Sequence, residues 1–275
     1  MNTLVCLSAI LLGAVARNRL IVHVREIPRP REAVLFRWLL KFTRAEIVYN
    51  SNATMEAIGV VGSVVYNGVD APEPASAEST LINGTGVDEA ESRLRLLVLG
   101  RINAWKGQEL ALSALALVER VIELRIVGSA IEAQKHLEVQ LKAQASELTN
   151  RVSVEFHEFC DDPSPHLAWC DYVLVPSTLP EPFGRVAIEG MSFGKPVIGS
   201  AHGGLMEIVR HGKNGYLFAP GSSSSLSEII SVLPSVDSRS YLELSSEASA
   251  DFMARFSTAS YAKALVNVFV EKRSN

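Results

Sequence analysis

Glu181 and Glu189 are separated by seven residues, the first in a proline-rich loop and the second in the run RVAIEGMSFG that follows. If that run is a helix, a rise of about 1.5 Å per residue carries the second carboxylate roughly 8 Å beyond Gly184. A carboxylate accepts two hydroxyl hydrogen bonds well, so vicinal diols suit both positions. Gly184 lets a ligand approach the helix mouth, where unpaired backbone N–H groups favour a phosphate; Phe183 and Arg185 flank it and join the candidates for ligand binding. Plainer readings exist: for Glu181 a charge favoured by the helix dipole, for Glu189 a surface carboxylate.

A second loop, GRINAWKG, carries Arg101 and Lys106 five positions apart. The two cations can converge on a diphosphate, arginine as a fork and lysine as a point charge. A solvated basic loop is the alternative. A third loop, GSAHGGLMEIV, places Gly203 and Gly204 between a strand and a helix, followed by Glu207. Paired glycines there fit a loop pressed against a ligand.

These loops need a framework that gathers them, and the hydrophobic pattern predicts one. Apolar runs at 94–100, 123–128, 152–156, 171–177 and 196–200 are continuous, as strands buried on both faces should be. Helical periodicity over 108–122, 132–148 and 183–193 separates them, and a last helix is predicted over 257–272. Strands alternating with helices imply a parallel sheet with helices on both faces, which binds ligands beyond the carboxyl ends of its strands. A shorter series precedes it: strands at 20–24, 47–49 and 62–66, helices at 31–45 and 53–58, then the turn Asn67-Gly68. The expected architecture is therefore α/β with two Rossmann-like modules. Residues 1–70 form the first, which is short of a typical domain and incomplete; residues 71–91 form a linker and 92–275 the second module. The last helix is expected to pack back on the first.

The 275 residues are 48% hydrophobic and 20% charged, within the range of a soluble globular protein. The net charge of −4 is uneven: residues 1–44 carry +6 and the remainder −10. Cys6, Cys160 and Cys170 show no metal spacing and no even framework, consistent with a reducing compartment. An apolar run over 3–16 is too short to span a bilayer, which takes about 20 residues, and no basic residue precedes it as a signal peptide requires; a buried helix is expected. The basic helix REAVLFRWLLKFTRA is read first as burying Phe36, Trp38, Leu39 and Phe42, with a peripheral contact to anionic membrane as the alternative.

Taken together the strings resemble the retaining glycosyltransferases of family 4, which have the GT-B fold. PSTLPEPFGRVAIE is similar to the family's two-glutamate marker P-S-x-x-E-x-F-G, with one extra residue before Glu181. GRINAWKGQ looks like its G-R-…-K-G loop, AHGGLMEIV its G-G-x-x-E loop, and VVYNGVD its interdomain N-G-V-D. The resemblance implies that Arg101 and Lys106 hold a donor diphosphate and stabilise its charge on leaving. It implies that Glu181 binds the transferred sugar's hydroxyls beside the Phe183 and Gly184 backbone, and that Glu189 takes the ribose. His23 sits where the family often carries a histidine near the reacting sugar, though a histidine beside a buried strand is commonly structural. The implied function is transfer of a sugar, of hexosyl type, from a nucleotide sugar to a glycan, lipid or small-molecule acceptor. No cofactor or metal is expected, since Asp161-Asp162 is adjacent rather than spaced as D-x-D, and nucleic acid is not expected as a partner. A cytoplasmic location is expected, with a peripheral membrane contact as an extension.

Two departures from the family pattern stand out. Glu158 occupies the position where a glycine usually borders the nucleobase, and the glycine-rich start of the first domain is absent. The alternative function is therefore a truncated, non-catalytic module that binds a nucleotide sugar. A nucleotide-sugar epimerase lacks its expected acidic and histidine residues here. An oxidoreductase is disfavoured because no strand is followed by G-x-G-x-x-G.

Overall fold

The computed structural model of the chain describes residues 20–43, 45–72 and 93–271. The apolar run over 3–16, Cys6 and most of the expected linker lie outside the described residues. Strands β1 (Ile21–Val24), β2 (Glu46–Tyr49) and β3 (Ser63–Val64) form a parallel sheet in that order, with α1 (Pro30–Thr43) and α2 (Asn52–Ile58) between them. Val22, Val24, Leu39, Leu40, Ile47, Tyr49 and Ile58 make its core. β3 is shorter than the apolar run suggested, because the chain leaves the sheet after Val65 and heads for the second unit, where Val69 bridges Ser257.

The face of α1 differs from expectation. Leu39 is buried and Phe36 is partly buried, but Trp38 is 61% exposed and Phe42 63% exposed, their rings stacked with centroids 5.4 Å apart. Ala33, Leu39 and Leu40 already supply the contact with the small sheet. Positions 34, 35, 38 and 42 fall on the far side of the helix at i, i+4 spacing.

The larger sheet contains β4 (Leu94–Leu99), β5 (Ile122–Val127), β6 (Val152–His157), β7 (Tyr172–Val175), β8 (Val197–Ser200) and β9 (Gly215–Phe218), in the order β6-β5-β4-β7-β8-β9 and parallel throughout. Burial on both faces explains the unbroken apolar runs. Leu94, Leu96 and Val98 enter one core layer while Leu97 enters the other, and β7 divides likewise between Tyr172 and Leu174 on one side and Val173 and Val175 on the other. The covering helices are α3 (Gln108–Leu115), α4 (Lys135–Ser146), α5 (Ser164–Trp169), α6 (Arg185–Ser192), α7 (Leu205–Ile208), α8 (Ser223–Val232), α9 (Arg239–Asp251) and α10 (Thr258–Glu271).

Some of these elements were not legible in the pattern. The helix expected over 108–122 ends at Leu115, because Ile122 is drawn into register with Leu94 and the Arg120 guanidinium donates to the carbonyls of Ile230 and Leu233. α8 begins in what reads as a serine run, where Ser222 serves as N-cap and accepts from Ser225 N. β9 and α9 likewise went unread. A π-helical turn, Phe252–Phe256, links α9 to α10, and Thr258 then meets the 68–70 segment through Asp70 Oδ1 (2.6 Å) and the Val69 carbonyl (3.0 Å).

Candidate functional site

The strand order brings the predicted loops together. β4 has β5 on one side and β7 on the other, so the chain departs one way through β5 and β6 and resumes on the opposite side. At such a reversal the loops after the two central strands diverge and leave a crevice at their carboxyl ends. Those loops are 100–107 and 176–184. Across the crevice Lys106 Nζ lies 2.7 Å from Glu181 Oε1. Glu181 is only 5% exposed, and the Ser177 hydroxyl donates to the same oxygen at 2.6 Å. Glu181 Oε2 has no hydrogen-bond partner among the described residues, so the carboxylate is held on one side and open on the other.

The lysine is located by its own loop. Asn103 Oδ1 accepts from the backbone N–H groups of Trp105 (3.1 Å) and Lys106 (2.9 Å), and the ammonium stands 4.4 Å from the Trp105 ring centroid, within cation–π range. Thr178 N donates to the Trp105 carbonyl at 2.8 Å, tying this loop to the one bearing Glu181. Gly107 closes the turn with φ +77°, and a Cβ there would collide with the Pro176 carbonyl. Both the backbone conformation and the closeness of the two loops require glycine.

Arg101 of the first loop and Arg185, just after the second, border a cleft of about 580 Å³ that also takes in Gly100, Ser129, Phe159 and Glu189 but is not lined by Lys106 or Glu181. Arg185, in the first turn of α6, holds Glu189 Oε1 at 2.7 Å. Burial raises the Glu189 carboxyl above its ordinary range, with the arginine acting in the opposite sense. The cleft thus joins two guanidinium groups, a partly desolvated carboxylate and the N-terminal end of α6, where Gly184 precedes the first turn.

The third loop takes a different position from the one its glycines suggested. A Cβ on Gly203 would strike the Glu181 backbone, one on Gly204 would strike Phe183, and Gly204 N donates to the Glu181 carbonyl at 2.8 Å. The pair serves loop-to-loop packing that seats Glu181; like Lys106 and Glu181, neither glycine lines the 580 Å³ cleft. Glu207 is turned away as well. Its Oε2 accepts from Asn52 N (2.9 Å), Asn52 Nδ2 (2.7 Å) and the Tyr66 hydroxyl (3.0 Å), and its Oε1 from Ala53 N (2.9 Å). The carboxylate caps α2 of the smaller unit, where acidic groups oppose the helix dipole. Beside it Ser51 Oγ donates to the Pro182 carbonyl at 2.5 Å. Nothing in the local sequence signals this cap, since the partners lie more than 140 positions away.

Phe183 is buried, its ring 5.9 Å from Tyr66 and 6.0 Å from Phe256, so only its backbone is available beside Gly184. His23 lies on β1, away from the Lys106–Glu181 pair in hydrogen bonding. Its Nε2 is buried without a partner among the described residues, and burial, aided by the charge of Arg25, lowers its pKa to about 4.

Comparison with known proteins shows the family and the fold. Residues 86–242 match the family of glycosyl transferases group 1, and the chain belongs to that family. An uncharacterised glycosyltransferase of Methanocaldococcus jannaschii is 29% identical over 212 residues, which cover 75% of this chain and 53% of the relative. A D-inositol 3-phosphate glycosyltransferase of Thermomonospora curvata is 37% identical over 150 residues, 48% of this chain and 34% of the relative. The chain thus spans about half or less of the length of the curated relatives it matches. Among solved structures, Anabaena HepE in complex with UDP is 30% identical with a TM-score of 0.82, covering 96% of this chain and 77% of that one. A glycosyltransferase from Rickettsia africae, 20% identical over all of this chain and 83% of its own with a TM-score of 0.74, shares the fold. The architecture is that of GT-B glycosyltransferases, with a small first sheet.

Proposed function

We propose that the protein is a retaining, family 4-type glycosyltransferase that moves a hexosyl group from a nucleotide sugar to a glycan, lipid or small-molecule acceptor. The observation that carries the reading is the Lys106–Glu181 pair between the loops 100–107 and 176–184, with a cleft lined by Arg101, Arg185 and Glu189 opening where the first loop begins and the second gives way to α6. In this reading residues 92–275 bind the donor, 1–70 form the acceptor side and 71–91 connect them. The diphosphate takes Arg101 and Lys106, the ribose hydroxyls take Glu189, and the transferred sugar's hydroxyls meet Glu181 through its open Oε2. Cleaving the sugar–phosphate bond builds negative charge on the leaving diphosphate. Fixed cations and the N-terminal end of α6 oppose that charge without needing to reorganise. The family resemblance gives His23, neutral at physiological pH, a place on the acceptor side near the reacting sugar; its buried Nε2 has no contact with the donor cleft among the described residues. Anabaena HepE has been crystallised with UDP and with UDP-glucose, which supports a uridine diphosphate sugar as donor. No metal or other cofactor is assigned a role.

A location on the cytoplasmic side of a membrane accompanies this function. Arg31, Val34, Leu35, Trp38, Lys41 and Phe42 share one exposed face of α1, and a basic, aromatic face suits anionic lipid. Among the described residues no helix is long and apolar enough to cross a membrane.

The test is a thermal-shift panel of UDP-, GDP- and ADP-sugars, followed by an assay for released nucleotide and transferred sugar. A rise in melting temperature with UDP-sugars and a product that disappears in Glu181→Ala supports the enzyme. The small first sheet favours a second reading, a nucleotide-sugar-binding module, for which the shift persists with no product at all. No shift with any nucleotide sugar rules out both.

A further inference from the structure

A second cavity of about 550 Å³ lies between α3 and α4, and it shares no lining residue with the cleft between Arg101 and Arg185. Asn103, Gln108, Ser113, Gln140, Gln144 and Thr178 line it with amide and hydroxyl groups; Gln144 Nε2 donates to Ser113 Oγ (2.9 Å) and Asn103 Oδ1 accepts from the Trp105 and Lys106 N–H groups, which leaves Gln140, the Ser113 hydroxyl hydrogen, Gln144 Oε1 and Asn103 Nδ2 for a ligand. Its volume falls within the range of small-molecule sites, which combine an apolar surface with a few converging polar groups. No lysine or arginine lines it; Glu109 is its one charged residue, which disfavours phosphates and carboxylates. Leu110, Leu137 and Leu141 supply an apolar surface on which the C–H face of a pyranose can lie. Gln108 is only 2% exposed; its Nε2 donates to the Arg101 carbonyl at 3.1 Å, which fixes the wall from behind. Glu109 adds a carboxylate, the acceptor best suited to a vicinal diol.

We infer that this cavity is a binding site for a neutral hexose unit, separate from the donor cleft and felt at the Lys106 loop. Two wall residues make the connection. Asn103 fixes the backbone of Trp105 and Lys106, and Thr178 holds the Trp105 carbonyl. A sugar seated between them alters the setting of the loop that aims Lys106 at Glu181. The inference rests on the lining of this cavity and stands whether or not the donor assignment does.

The test uses the full chain and three probes, methyl α-glucoside, maltotriose and glucose 1-phosphate, followed by ligand-observed saturation-transfer NMR and tryptophan fluorescence. Saturable binding of a neutral probe is expected below about 50 mM, with a fluorescence change from Trp105 that is absent in Trp105→Phe. Ser113→Phe, which fills the cavity, and Gln144→Leu, which removes an amide without filling it, should each weaken binding roughly tenfold. Their melting temperatures and UDP titrations show that the fold and the donor cleft are intact. Methyl α-glucoside binding as well as maltotriose assigns the site to a single sugar, and maltotriose binding better assigns it to a chain end; either supports the inference. No neutral probe binding, binding that both variants leave unchanged, or glucose 1-phosphate binding more tightly than the neutral sugars overturns it.

Discussion

Glu207 Oε2 accepts hydrogen bonds from both the backbone and the side-chain nitrogens of Asn52, so one carboxylate of the larger unit closes the N-terminus of a helix in the smaller one. The Arg255 guanidinium donates to the Glu207 carbonyl at 2.7 Å and covers the Tyr66 ring, which reinforces the joint. Replacing Glu207 by alanine strands the N–H groups of Asn52 and Ala53 and the Tyr66 hydroxyl. The expected cost is about 0.5–2 kcal/mol, the range for losing a helix cap, since Asn52 is exposed and Ala53 and Tyr66 only half-buried. Calorimetric melting of wild type and Glu207→Ala measures it. UDP affinity should stay within about threefold, because the residue faces away from the donor cleft; a large loss of affinity with no loss of stability would make Glu207 a ligand residue after all.

The Lys106–Glu181 pair has the opposite signature. Lys106→Ala removes a cation from the crevice and leaves a 5%-exposed carboxylate with only Ser177 beside it. Turnover should fall roughly a hundred- to a thousandfold, as for the loss of one preorganised stabilising group. Glu181→Gln keeps the shape and the Ser177 contact while losing the charge. It should retain nucleotide binding and lose turnover. Steady-state kinetics beside isothermal titration with UDP separate the two effects. Equal turnover in wild type and Lys106→Ala would remove the lysine from the mechanism.

How much of this site was legible in the sequence depends on the range of the interactions. The loops bearing Lys106 and Glu181 could be expected together because both follow continuous apolar strands, and parallel α/β topology sends such loops to the same edge; the ion pair between the two side chains was not read. The cap made by Glu207 could not be expected, because its partners sit 141, 154 and 155 positions away and no local pattern encodes them. Gly203 and Gly204 were recognised as sites of close approach, but a glycine does not reveal what approaches it; here it is the backbone of Glu181 and Phe183. Trp38 and Phe42 satisfy helical periodicity on either face of α1, and only the small area of the three-stranded sheet decides that they stay outside. α8 was hidden by its serines, which are poor in a helix interior yet serve well at its start.

Gly107→Ala tests how closely the two central loops must approach. The native φ of +77° costs an L-residue about 1–2 kcal/mol by itself, and the added methyl meets the Pro176 carbonyl. A total destabilisation of at least about 2 kcal/mol is expected, with a lower denaturant midpoint and an unchanged slope. A midpoint equal to that of wild type would mean that the loops can separate without consequence.

His23 sets a pH dependence whose sign follows from its lowered pKa of about 4. Between that value and the ordinary 6.5 the unfolded chain takes up a proton that the folded chain refuses. The protein therefore loses stability as pH falls through this window; above it both states carry a neutral ring and the contribution is constant. In His23→Asn the contribution is absent. Subtracting the two stability curves isolates the residue from the many carboxylates titrating nearby, and the difference should shift against wild type from about pH 6.5 down to about 4 and be flat outside. A difference that does not change with pH would show that the ring is hydrated rather than buried.

The exposed face of α1 yields a prediction about surfaces. Trp38 and Phe42 stack at an interplanar angle of 9° and are flanked by Arg31 and Lys41, so apolar insertion and charge attraction can act together. Co-sedimentation with vesicles containing anionic phospholipid should exceed that with neutral vesicles and weaken as salt screens the charges, whose range is about 10 Å at 0.1 M. Trp38→Ala with Phe42→Ala should reduce binding at every salt concentration, whereas Arg31→Glu with Lys41→Glu should abolish mainly the salt-sensitive part. The melting temperatures of both double variants should stay near that of wild type, since none of the four side chains enters the core. Binding indifferent to lipid charge, or unaffected by either double variant, would detach this face from any membrane role and leave the stacked pair as surface residues of the fold.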